Sequence, residues 1–273
     1  MIETRRITQL VVWFFYIYIA CSVLYLVSAL MSNAFISSIE QGTYLYGYES
    51  MMADAEAHDL RDSIISGLIF VVYILCAISF LRWTYKSSQM THLSGAQDLR
   101  FSPGWSVGWY FIPIALLWKP FQAFKQIYQV SIQINNWKNV SIPSSLRWWW
   151  GLFILSNLIN NILLRMYLDT WLQSELDGSG SLSDYDLIFF VEFVCSSVEI
   201  VCCLILIKIL KEISYRYNSN EFQAVLSGKP PEENSSEEPT EQESTRKNSL
   251  DESSTEETSK DASDLYFDNR KRK

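Results

Sequence analysis

The chain has 273 residues, with 22 Lys and Arg against 30 Asp and Glu, a net charge of −8 and 5 Cys. That balance excludes a basic nucleic-acid binder, and so few Cys in so long a chain exclude a secreted disulfide scaffold. The apolar residues are too unevenly spread for a soluble dehydrogenase-like globule, since residues 1–217 hold all 10 Trp and −2 of the net charge, while residues 218–273 hold the other −6.

A hydrocarbon core about 30 Å thick needs roughly 20 apolar residues of helix to cross it. Leu10 to Met31 is the first such window. Its length exceeds the roughly 7–15 residues of a signal-peptide core, so we read it as a retained helix. Ile64 to Leu81 is the second window, Trp148 to Leu168 the third with Arg165 near one end, and Leu187 to Ile207 the fourth, carrying Glu192 and Glu199. Between the second and third, Trp105 to Trp118 is apolar but too short, about 21 Å of helix, and Lys119-Pro120 follows at once. Residues 218–273 are Ser-, Thr-, Pro- and Glu-rich, a composition unable to offset its chain entropy by burial, and a disordered acidic tail is expected there.

The charges between these windows set the topology, because short loops rich in Lys and Arg stay cytoplasmic. Arg5 and Arg6 precede the first window. The stretch 32–63 has Arg61 alone against Glu40, Glu49, Asp54, Glu56, Asp59 and Asp62, and 169–186 has acids and no base, so both are expected outside. Arg82, Lys86 and Arg100 precede the short segment, and Lys119, Lys125, Lys138 and Arg147 follow it. Both flanks read as cytoplasmic, and so do Lys208, Lys211 and Arg216. The expectation is an all-α polytopic bundle over 1–217 with four spanning helices, one short re-entrant or interfacial Trp/Pro segment, and both termini inside. The alternative is five spanning helices, which requires the short segment to lengthen or the bilayer to thin.

The central segment is densely punctuated. Ser102 suits a helix N-cap with Pro103 at the first helical position, and Pro113 interrupts the apolar run. After Pro120, Phe121, Phe124, Ile127 and Tyr128 recur at helical spacing opposite Gln122, Lys125, Gln126 and Gln129, the pattern of an interfacial helix over about 120–131. Trp105, Trp109, Tyr110 and Trp118 suit the headgroup zone, and Gly104 and Gly108 are spaced for close approach of a neighbouring helix. FSPGWSVGW followed by FIP and KPFQAF, with FLRWTYKSS at 80–88 and RWWWGLFILSN at 147–157, resembles the bacterial membrane family known as domain of unknown function 4328. The motif residues are Trp83, Tyr85, Phe101, Ser102, Pro103, Gly104, Trp105, Gly108, Trp109, Pro113 and Pro120. The resemblance covers about Arg82 to Leu168 and implies a multi-pass membrane domain, with no substrate, reaction or cofactor.

Glu192, Cys195, Glu199 and Cys202 fall on one stripe of the fourth window, with Glu199 about 18 Å deep, near mid-membrane. An ionised carboxylate there costs about 2.5–3.5 kcal/mol, so Glu199 is expected to be neutral, paired or facing water, as a proton or ion site or as a structural bond between helices. Asn157, Asn160, Asn161 and Arg165 form the facing polar stripe on the third window. Running depths in opposite directions pairs Arg165 with Glu192 and the Asn group with Glu199. Cys21, Cys76, Cys195, Cys202 and Cys203 read as packing residues, and none has metal-site spacing with a His. His58 among its acids reads either as a weak divalent-cation site or as part of a solvated loop. No phosphate loop, HExxH or GxSxG is present, so neither an enzyme nor a cofactor is expected. The expected partners are the bilayer, anionic headgroups at the basic face, a second copy of the chain, and a protein that reads the acidic tail. Two functions remain open: a structural, interaction or membrane-anchored regulatory protein, and a small oligomeric transporter or channel using the Glu/Asn site.

Overall fold

Seven α-helices account for nearly all of the regular structure in the computed structural model, which describes residues 2–177 and 182–227. They are α1 (Ile2–Glu40), α2 (Tyr48–Leu93), α3 (Pro103–Gly108), α4 (Lys119–Ile132), α5 (Ser144–Asp177), α6 (Leu182–Tyr217) and α7 (Asn220–Ser227). Helices α1, α2, α5 and α6 are long and apolar enough to cross a membrane. The four expected windows lie inside them. The stretch 103–118 is broken into α3 and the 3₁₀ turns Trp109–Phe111 and Ala115–Leu117, with Pro113 in the turn between, and is not among the spanning helices.

The long helices run beyond the apolar windows at both ends. Residues expected as an outer loop at 32–63 are mostly helical, because α1 continues to Glu40 and α2 starts at Tyr48. Hydrogen bonds between the two helices sustain the extension: Arg61 donates to Ser28 Oγ at 2.6 Å and Ser32 Oγ at 2.6 Å, and Asp62 accepts from Ser32 Oγ at 2.7 Å. His58 stacks on the Phe35 ring at 4.7 Å and lies 2.9 Å from Arg61, so it belongs to this α1–α2 junction.

Helix α1 packs on α2 and α6, and α5 packs on α6, giving the order α2–α1–α6–α5. Neighbours are antiparallel. One end of the bundle, the base, therefore gathers the start of α1, the end of α2, the start of α5 and the end of α6. At the base, Trp83 of α2 is wholly buried and donates from Nε1 to Thr8 Oγ1 of α1 at 2.8 Å. Trp83, Phe124 of α4 and Trp149 of α5 form a run of rings with centroids 5.7 and 4.9 Å apart. The broken segment closes the base. Ser102 caps α3 by accepting from the Trp105 amide, Ser106 meets Ser88 of α2 at 2.9 Å, and Trp150 of α5 donates to the Leu117 carbonyl at 3.1 Å. Phe111 and Ile114 are each 71% exposed and point apolar surface outward, as a segment bathed in lipid requires.

Helix α4 departs from the interfacial pattern. Gln126 and Gln129, expected on a solvated face, are buried along with Phe124, Ile127 and Tyr128. Backbone groups take the place of water: Gln126 accepts from the Arg100 amide at 2.9 Å and donates to the Phe101 carbonyl, while Gln129 donates to the Val140 carbonyl. The Gln side chains thus tie the non-helical stretches before and after α4 to the core. Helix α2 stops where Gly95, at φ +77, takes the left-handed conformation that follows a helix end, and Lys138 pairs with Asp98 at 2.7 Å across the same turn.

The glycine pair does not act as expected. Nothing lies within 4 Å of a side chain added at Gly104, and one at Gly108 would meet the Trp105 ring at 3.2 Å. Gly108 makes room for its own helix's Trp, which stacks on Trp109 at 4.6 Å.

The first compact unit is Met1–Pro231. Helix structure passes the expected end at Tyr217, because Phe222 of α7 is buried against the Tyr217 ring at 4.8 Å. The remainder of the expected tail, residues 228–273, lies outside the described residues.

Replacing Gln126 by Leu strands two backbone groups and should lower stability by about 1–3 kcal/mol. Gln122→Leu, at an exposed position of the same helix, should be near neutral. Thermal unfolding of the two variants in one detergent compares them directly.

Candidate functional site

The carboxylates of α6 are held in two rungs of the same construction. Glu199 accepts from the Tyr18 hydroxyl of α1 at 2.7 Å and from Asn160 Nδ2 of α5 at 2.7 Å. Glu192 accepts from the Tyr25 hydroxyl of α1 and from the Tyr167 hydroxyl of α5 at 3.1 Å. Each pair of equivalent residues, 18 and 25, 160 and 167, 192 and 199, is seven apart. Seven residues are close to two helical turns, about 10.5 Å, so the three helices present the second rung directly above the first. Asp62 with Ser28 and Ser32 continues the α1 stripe of Tyr18, Ser22 and Tyr25 to the top of the bundle.

The facing stripe of α5 is thus resolved residue by residue. Asn160 reaches Glu199 as expected. Asn157 donates to the Phe153 carbonyl and Asn161 to the Asn157 carbonyl, each on its own helix. Arg165 is exposed and no hydrogen bond or ion pair joins it to Glu192 among the described residues, so the expected Arg165–Glu192 pair is replaced by two tyrosines. Cys195 lies between the rungs, its Sγ 3.5 Å from Asn160 Oδ1 and 3.8 Å from Glu199. All five cysteines are free.

Tyr18, Tyr25 and Tyr167 were not singled out in the sequence. The signal was the seven-residue repeat of Tyr on the first window, in register with the Glu repeat on the last.

Helices α2 and α5 meet at the base through the Phe80 and Trp149 rings, 6.3 Å apart, and are not among the extensively packed helix pairs. Between them lies a cavity of about 670 Å³, walled by Ser66, Tyr73 and Ala77 of α2 and by Trp150, Asn157 and Asn160 of α5, with Glu199 of α6 in its wall. Tyr110, Phe111 and Leu116 of the broken segment also line it. Two of the lining residues, Phe70 and Phe111, are 66% and 71% exposed, which marks the side between α2 and α5 as the mouth. Glu192 does not line the cavity; Glu199 does. The two rungs share a construction and both reach the cavity, the lower through Tyr18, Asn160 and the Glu199 carboxylate and the upper through Tyr25 alone.

The motif residues lie at the base. Trp83 and Pro120 are in the core, Ser102, Pro103 and Trp105 shape α3, Phe101 and Trp109 face the Lys119 ammonium at 6.0 and 5.6 Å, and Tyr85 is half-exposed. Residues 47–214 match the model of a family described as a domain of unknown function (DUF4328). The chain belongs to the DUF4328 family. No curated protein and no solved structure matches it. The DUF4328 match reaches beyond the motif stretch to take in α2 and most of α6, including Glu192, Glu199 and Asn160. It leaves out α1, which supplies the Tyr18 and Tyr25 hydroxyls.

Tyr18→Phe and Tyr25→Phe should each cost about 0.5–2 kcal/mol, the range for a hydroxyl donating to a carboxylate inside a bundle. Rungs about 10.5 Å apart should be additive in the double variant, whereas Tyr18→Phe and Glu199→Gln should couple. Unfolding in mixed micelles measures both; additivity within one rung and coupling between rungs would contradict this construction.

Proposed function

We infer that this membrane protein is a non-enzymatic, multi-pass component of the bacterial inner membrane, with both termini cytoplasmic, that receives a small ligand in its intramembrane cavity and acts as a membrane-anchored regulatory or interaction protein. The observation that carries the reading is the cavity itself. Its size falls within the roughly 300–1,000 Å³ of small-molecule sites, its walls are mostly apolar, and a few polar groups, Glu199, Asn160 and Tyr18 among them, converge on one part of it.

The basic residues of the base, Arg82, Lys86, Arg100, Lys119, Lys125, Lys138 and Arg147, support an inside orientation under the positive-inside rule. They also support contact with anionic headgroups. A second cavity, at the start of α1 and the end of α6, is lined by Arg5 and Lys211 with Thr8 and Gln9, a setting suited to a lipid phosphate. A protein partner for the acidic tail and a second copy of the chain belong to the same proposal.

The alternative, a small oligomeric transporter or channel, is favoured by the carboxylate in the cavity wall and requires more than one copy, because four helices are few for a transport path. Flux across proteoliposomes separates the two readings. A regulatory protein binds without flux.

Two measurements test the proposal. In nanodiscs, the neutral dye Nile red should bind the wild type saturably, and Ala77→Trp, which fills the cavity from α2, should abolish saturation while leaving thermal unfolding unchanged; no saturable binding by the wild type would end the ligand reading. In intact cells lacking the native cysteines, Cys placed at Gln97 and Asn139 should be shielded from an impermeant thiol reagent while Cys at Leu45 reacts. Reaction at Asn139 with protection at Gln97 would mean that the broken segment crosses.

A further inference from the structure

The charge pattern of the cavity narrows the chemistry of what it takes. Glu199 is the one charged residue among the described residues lining it, and eleven aromatic side chains line the same space. Both carboxylate oxygens accept hydrogen bonds, Oε2 from Tyr18 and Oε1 from Asn160, with the Cys195 thiol 3.8 Å from Oε1. Two donors at 2.7 Å satisfy a carboxylate in its acceptor-only form, the form that can serve as a counter-charge. Neutral donors spread its charge and do not cancel it. No Lys, Arg or His among the described residues lines the cavity to do so. Arg165, the nearest cation expected from the sequence, is exposed elsewhere on α5.

A lone carboxylate in an apolar, ring-lined space lacks a positive partner, and aromatic faces add attraction for a cation that has shed its water. Tyr18, Tyr73, Phe80, Tyr110, Trp149 and Phe153 offer such faces from α1, α2, α5 and the broken segment. An anion would meet Glu199 with no compensating group. A small hydrated metal ion would find one carboxylate and rings in place of the several oxygen ligands it needs. A bulky organic cation matches the carboxylate, the rings, the volume and the mouth between α2 and α5. The hydroxyl of Tyr110, buried at the base with no hydrogen-bond partner among the described residues, adds a polar group that an acceptor on such a ligand would satisfy.

On the reading of the cavity as a ligand site, we propose that its ligand class is the hydrophobic organic monocation, an ammonium or phosphonium centre carried on apolar or aromatic groups, with Glu199 as the counter-charge. The ligand comes laterally from the bilayer between α2 and α5. Glu192 is held in the same way and does not line the cavity, although its donor Tyr25 does, and it takes no part as a counter-charge.

The test uses the full chain in nanodiscs and two probes of one shape and opposite charge, tetraphenylphosphonium and tetraphenylborate, read by quenching of tryptophan fluorescence with protein-free nanodiscs subtracted. Trp149 and Trp150 in the cavity wall are the reporters. Tetraphenylphosphonium should saturate at concentrations at least about tenfold below those for tetraphenylborate, the preference a single counter-charge provides in a dry site. Glu199→Gln should remove that preference, while Glu192→Gln should keep it. Equal affinity for the two probes in the wild type, a comparison that needs no variant, overturns the proposal. So does a preference that survives Glu199→Gln. If the charge preference is absent but Nile red still saturates and Ala77→Trp still blocks it, the cation class falls and the ligand cavity stands. If Nile red does not saturate either, both fall.

Discussion

Hydrocarbon offers a carboxylate no hydrogen bonds, so every acid carried into the membrane by α6 must be satisfied by its neighbours in the bundle. That constraint organises the bundle above the base. Glu192 and Glu199 are seven residues apart, which fixes two levels at which a donor must stand on each side of α6. Helix α1 meets both with tyrosines and α5 meets them with an asparagine and a tyrosine. A hydroxyl on a long, rigid ring reaches across an interface where Ser or Thr would fall short, and it buries a large apolar body at the same time. The rungs therefore satisfy the acids and set the rotation and axial register of three helices relative to one another.

The base follows a different logic, in which interruption is the useful property. Pro103, Pro113 and Pro120 deny residues 103–118 a continuous helix, and the short pieces that result are pinned from several sides through Ser106, Trp150 and the Lys119 ammonium. Helix α4 inside this base carries polar side chains at buried positions. Their amides occupy backbone groups that irregular segments leave free, so Gln126 and Gln129 let non-helical chain exist at this depth. The aromatic run through Trp83, Phe124 and Trp149 then joins base to bundle.

Elements set by hydropathy and charge were legible in the sequence, and elements set by azimuth were not. The four long apolar helices and the short segment apart from them follow from window length alone. The Asn160–Glu199 contact was legible because antiparallel depth counting puts the two residues at one level. The same counting put Arg165 near the level of Glu192, and the level was right within two residues; but two residues turn a helix by about 200°, so Tyr167 faces the bundle where Arg165 faces away. Tyr18 and Tyr25 went unseen because an aromatic in a spanning helix reads first as packing or as an interface anchor. The α4 amides were misassigned because amphipathic spacing reports that a face is polar without reporting whether water or backbone meets it.

The comparison of the two rungs bears on what Glu199 is for. If the acids served only to hold helices together, neither carboxylate would be expected in a cavity wall, and Glu192, between Tyr25 and Tyr167, is not in one. Glu199 is held equally well, with two donors at 2.7 Å, and yet its side chain forms part of a cavity wall. The opening lies where α2 and α5 pack little beyond the Phe80–Trp149 contact, and Tyr110, Phe111 and Leu116 of the base segment line it. Helix packing alone would close such a gap unless something propped it, because the lining side chains forgo dispersion contacts across it. The broken segment fills part of this gap with Tyr110, Phe111 and Leu116. The DUF4328 match over residues 47–214 takes in α2, the broken segment, α5 and Glu199, and so covers most of the cavity wall, whereas the Tyr18 hydroxyl that holds Glu199 comes from α1, outside it.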